Sequence, residues 1–133
     1  MNPRTTLAAI FACGLAMPLA AQTDRPATEG EIELAEMLEG RVAGEPRNCI
    51  LSRPIRKMTI IDDTAIVYES GATLYVNFTQ EPRTLDDDDY LVTRSQGMNL
   101  CSSDQVTAKR RPVGFYSGNV ILTEFIPYER VED

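Results

Sequence analysis

Histidine and tryptophan are both missing from these 133 residues. Without histidine there is no Ser-His-Asp or Cys-His arrangement, and no imidazole to hold a metal. Lysine occurs only at Lys57 and Lys109, in the charged settings "RKM" and "KRR", which leaves serine–lysine catalysis little to draw on. Gly-rich phosphate loops and C-x-x-C pairs are absent too. A glycosidase-like pair needs two carboxyl groups about 5 to 10 Å apart around a cleft. With 20 acidic residues such a pair can arise by chance, so composition does not favour a small carboxylate-based hydrolase. These absences point away from an enzyme.

What is present begins with an export signal. In "MNPRTTLAAIFACGLAMPLAAQTDRP", Arg4 is the positive start and Thr5 to Leu19 an uncharged apolar stretch. Ala20 and Ala21 are the small residues that close a secretory signal peptide. The apolar run is shorter than the roughly 20 residues of a spanning helix, so cleavage after Ala21 is expected and a retained anchor is not. Cys13 raises lipidation, but Phe11 is bulky for such a site and apolar sequence continues past it. The expected location is periplasmic or secreted, in a bacterium. Contact with the membrane is expected only through the export signal.

The chain carries a net charge of −7, and loss of Arg4 with the signal makes the mature chain one unit more acidic. Such a charge disfavours nucleic acid and anionic membrane surfaces as partners, and serves solubility. Of the three cysteines Cys13 leaves with the signal. That strands Cys49 and Cys101 as an even pair in an oxidising compartment, expected as a disulfide. Closing a loop of about fifty residues is worth about 4 kcal/mol in the chain-entropy model.

Residues 22–28, "QTDRPAT", read as a flexible leader, and 29–133 as a single small domain. Thr28 and Glu31 fit a capping box. Ile32, Ala35, Leu38 and Val42 make an apolar stripe, which predicts a helix over about 29–41. "CILS" is a short candidate strand, followed by strands near 57–61, 64–69 and 73–79. On the last, Leu74, Val76 and Phe78 should face a core. "YLVTRS" is a further strand or the tail of a helical turn, and residues 104–110 another strand. A turn at Ser117–Gly118–Asn119 should precede a final strand over 119–126, stopped by Pro127. The fold expected is α+β, mainly β: an N-terminal amphipathic helix, then a small antiparallel sheet or partly open barrel. Asn77-Phe78-Thr79 matches a glycosylation pattern but falls on a strand.

The strings "LEGRVAGEPRNCI", "IIDDTAIVYESGATLYVN", "LDDDDYLVT", "LCSSD" and "FIPY" span about residues 33–128. As a set they resemble small secreted proteins of Gram-negative, sphingomonad-like bacteria, a domain of unknown function. The resemblance implies export and the fold, and supplies no activity. Broader members of the group it resembles often carry four cysteines. Here "EPRTL" and "VILTEF" lack the other two, as expected if one whole disulfide was lost and Cys49–Cys101 kept.

Two charged clusters are the candidate sites. Asp86, Asp87, Asp88 and Asp89 form an unbroken acidic run. Calcium takes about six to eight oxygen ligands, but contiguous residues on extended chain point to opposite sides, so two readily face one ion. The EF-hand spacing and its glycine are absent. Asp62, Asp63 or Glu81 would have to complete a calcium site, the only cofactor in question. A hydrated turn is the plainer reading, and a surface for a basic partner the third. Lys109, Arg110 and Arg111 either bind an anionic ligand or envelope polymer, or guard a sheet edge by their charge. They are also placed to pair with the aspartates. Tyr68, Tyr75, Phe115 and Tyr116 are expected to pack in the core and sheet more than to line a ligand face. The function expected is a non-enzymatic binding or interaction module, its partner an unknown protein or envelope component. A calcium-dependent envelope protein using the 86–89 aspartate loop is the first alternative, and a small carboxylate-based hydrolase the second.

Overall fold

A computed structural model describes residues 25–132, and the expected signal peptide, its expected cleavage site and Cys13 lie outside the described residues. Thr28 caps helix α1 (Glu29–Met37): its hydroxyl accepts from the Glu31 N–H while the Glu31 carboxylate accepts from the Thr28 N–H. The helix stops at Leu38, earlier than its pattern predicts, because Arg41–Ala43 leaves as strand β1. It buries Gly30 and Leu34 rather than the stripe through Ile32, which stays half exposed. The reason is contact at the helix start. A methyl at Gly30 would overlap the Thr64 hydroxyl and the Asp62 carbonyl, so the helix backbone lies directly on a sheet turn.

The strands are β2 (Cys49–Leu51), β3 (Ile55–Ile61), β4 (Ala65–Ser70), β5 (Thr73–Asn77) and β6 (Asp89–Arg94). They continue as β7 (Asn99–Cys101), β8 (Gln105–Arg110), β9 (Phe115–Val120) and β10 (Ile126–Arg130). All the pairings are antiparallel. They form three separate sheets, ordered β1-β10-β5-β4-β3, β2-β7 and β6-β8-β9, and do not close into a barrel.

Alternation along the strands divides the core. Ala65, Val67, Leu74 and Val76 face α1 and pack with Leu34 and Ile61. Ile66 and Tyr68 point the other way, to a larger core with Val106, Ala108, Val120 and Phe125. The layers are therefore helix, five-stranded sheet, and the two smaller sheets.

Several sequence expectations change at this level. Phe78 falls one residue beyond β5 and is 38% exposed, because Asn77 turns the chain out of the sheet. Residues 117–119 are not a turn but the body of β9, while the expected final strand divides into β9 and β10 with an irregular link. Pro127 does not end β10. A proline forfeits only its own donor, and its carbonyl still accepts from the Gly44 N–H at 2.7 Å.

Candidate functional site

The aspartate run is a corner knitted to two other segments. The Asp87 N–H donates to Asp62 Oδ1 at 2.6 Å, tying the run to the β3–β4 turn. Asp86 Oδ1 accepts from the Asp88 N–H at 2.9 Å, closing the turn on itself. The Arg111 N–H donates to the Asp88 carbonyl at 3.1 Å. Arg110 spans the run with both edges of its guanidinium, 2.9 Å from Asp86 Oδ2 and 2.8 Å from Asp89 Oδ1.

A hydrated turn describes only Asp87 and Asp88. Asp89 is 3% exposed, begins β6 and also accepts from the Ser117 hydroxyl at 3.0 Å. It lies in phase with Leu91, whose side chain packs on the larger core, and opposite Arg110 in the sheet register. Asp62, Asp86 and Asp87 each offer a carboxylate oxygen within 4.8 Å of the others; Asp63 and Glu81 are outside this group. Asp87 is held above its ordinary pKa, first by the charge of Asp62, then by burial and by Asp88 and Asp86. Arg110 already compensates Asp86, and its charge opposes a cation placed there.

The basic cluster separates at the same point. Arg110 turns inward to the aspartates, while Lys109 turns to the outer face of the β6-β8-β9 sheet. In register on that face stand Tyr90, Lys109 and Tyr116 across the three strands, then Val92, Thr107 and Asn119, then Arg94 and Gln105. Alternation in "YLVTR" makes the β6 part of this face readable from sequence. Arg111 extends it, its guanidinium carbon 5.9 Å from the Tyr90 ring centroid. Gly114, with φ +81°, folds the β8–β9 turn onto the Tyr90 hydroxyl, where a Cβ would lie 2.8 Å away.

No acidic residue occupies a register position of this face. Among the described residues, Arg94, Lys109 and Arg111 make no ion pair. Tyr116 is 65% exposed, and Phe115, before it at the start of β9, is exposed as well, against the expectation that both pack inside. Tyr68 and Tyr75 do pack toward the larger core. The disulfide joins Cys49 and Cys101 as directly paired residues of β2 and β7.

Two of the surface grooves flank the five-stranded sheet. One of about 400 Å³ lies between α1 and the sheet, lined by Leu34, Leu38, Phe78, Pro82 and Tyr128. Another of about 280 Å³ runs beside β3, with Asp87, Asp89 and Arg111 along it. Glu33 lines it as well, and of its three carboxylates Asp89 is engaged by Arg110 and Ser117. No family model, curated protein or solved structure matches this chain.

Proposed function

We propose that the chain is an exported, disulfide-stapled, non-enzymatic module that binds an anionic partner on the outer face of the β6-β8-β9 sheet. One observation carries the reading. On a chain of net charge −7, Arg94 and Lys109, with Arg111 at the Tyr90 end, share an open sheet face that has no carboxylate in its register, and among the described residues the three make no ion pair. Uncompensated like charges raise the energy of the free protein, so their segregation favours a ligand of opposite sign. The signal sequence, the paired cysteines and the resemblance to secreted proteins support export.

The sheet-edge role of Lys109 and Arg111 is compatible with this reading, since charge on an edge also discourages aggregation. Titrating the isotope-labelled exported chain with soluble poly-L-glutamate at low salt tests it. Amide shifts should gather on Tyr90, Thr107, Lys109 and Tyr116 and fade as salt is added. Lys109→Glu should abolish them, whereas Arg56→Glu, on β3, should not. Absence of shifts, or shifts elsewhere, would overturn the assignment.

A further inference from the structure

The cations on the outer sheet face are spread, not gathered. Arg94 stands level with Gln105, and the Arg111 guanidinium lies by the Tyr90 ring, four residues along β6 from Arg94, which is about 13 Å of strand. A single small anion cannot bridge that span, and the groove of about 610 Å³ at the Arg94–Gln105 end reaches neither Lys109 nor Arg111. A linear polymer can lie along it. Tyr90 and Tyr116 flank Lys109 in register two strands apart, about 10 Å. They offer amphipathic rings beside a charge, with Thr107, Gln105 and Asn119 as hydroxyl and amide partners.

The two ends of the face restrict the polymer further. Asp104 lines the surface beside Arg94 at one end. Asp87 and Asp88 lie exposed beside Arg111 at the other. A polymer charged at every unit would meet these carboxylates as it left the face, on a chain already net negative. One with neutral units between its charges can set carboxylates over the cations and pass neutral units by the acidic ends.

We infer that the anionic partner is a linear polysaccharide carrying carboxylates on only some of its sugars, with sugar rings against Tyr116 and Tyr90 and carboxylates against Lys109, Arg94 and Arg111. The inference rests on the anion-binding reading of the same face, and its test separates the two. Hyaluronan, which bears a carboxylate on alternate sugars, is the probe, compared with poly-L-glutamate, single-stranded DNA and uncharged dextran in matched low-salt buffer.

Hyaluronan should bind most tightly of the four. Tyr116→Ala should weaken hyaluronan about fivefold, the scale of one lost aromatic contact, and leave poly-L-glutamate within twofold. Lys109→Glu should weaken both. Tighter binding of poly-L-glutamate or DNA, or an equal loss on both polymers in Tyr116→Ala, would overturn the polysaccharide and leave the anion-binding face standing. Equal binding of dextran would overturn the part assigned to the carboxylates. Failure of every charged polymer to bind through Lys109 would remove both readings together.

Discussion

Two buried polar side chains set the sharpest constraints on single residues, and they act in opposite directions. Tyr68 packs edge-on against Phe125, with ring centroids 5.7 Å apart, and among the described residues its hydroxyl has no hydrogen-bond partner. Burial pushes its phenol above the ordinary value of 10.0. Tyr68→Phe keeps the ring contact and removes the unpaired hydroxyl, so stability should rise by about 1 kcal/mol at neutral pH. The pH dependence has a definite sign. The unfolded tyrosine ionises near 10 and the folded one resists, so wild-type stability is lost as pH rises beyond about 10. The variant's lead should therefore widen there, as read from urea melts at pH 7 and 10.5; a less stable variant would refute the account. Asn77 is the opposite case. Fully buried, it donates to the Thr123 carbonyl at 2.8 Å and accepts from the N–H groups of Thr79 and Thr123, both at 3.0 Å. Asn77→Ala would strand three backbone groups and should cost about 3 kcal/mol or more, measurable by the same melts. The amide so engaged is no glycosylation acceptor in the folded chain.

At the scale of elements, the disulfide has the most to do where the sheet is weakest. β2 and β7 pair over three residues each and form a sheet of only two strands, which alone is marginal in water. The bridge spans a sequence separation of 52, worth about 4 kcal/mol in the chain-entropy model. Cys101→Ser should lower stability by about 2 to 4 kcal/mol and lower the melting temperature clearly. An unchanged melting temperature would mean that Ile50 and Leu100, buried in the larger core, hold the pair unaided. This pairing was legible from the cysteine count and the expected export, and the β3–β4–β5 meander from strand patterns joined by local turns. The helix existed where its cap predicted. Its buried face did not follow, because Gly30 against the β3–β4 turn is a long-range contact that helical periodicity cannot see. Asp89 escaped for the same reason: four aspartates look alike until the register sets one opposite Arg110. The inward and outward parting of Arg110 and Lys109 follows from strand alternation, and needed only the strand's bounds.

Across the whole molecule, charge is sorted more sharply than a net value of −7 conveys. Arg94, Lys109 and Arg111 share one sheet face without a carboxylate in its register, while Asp62, Asp86, Asp87 and Asp88 crowd the corner beside it, with Arg110 between. That corner is where a divalent ion would act. Three carboxylates near one another supply fewer oxygens than calcium's usual six to eight, and Arg110 already neutralises Asp86 from 2.9 Å. Millimolar calcium should therefore shift the melting temperature of residues 22–133 only slightly, and no more than magnesium at equal ionic strength, since screening of the corner is common to both. Asp87→Asn should produce a comparable small rise without any cation. Its backbone bond to Asp62 survives the change while the repulsion that raises the Asp87 pKa is removed. Because that pKa is raised, the ionised carboxylate costs stability at neutral pH. The cost, and with it the variant's advantage, should fade as the pH falls through the raised value toward 3.8. A rise specific to calcium, lost in Asp87→Asn, would make the corner a metal site.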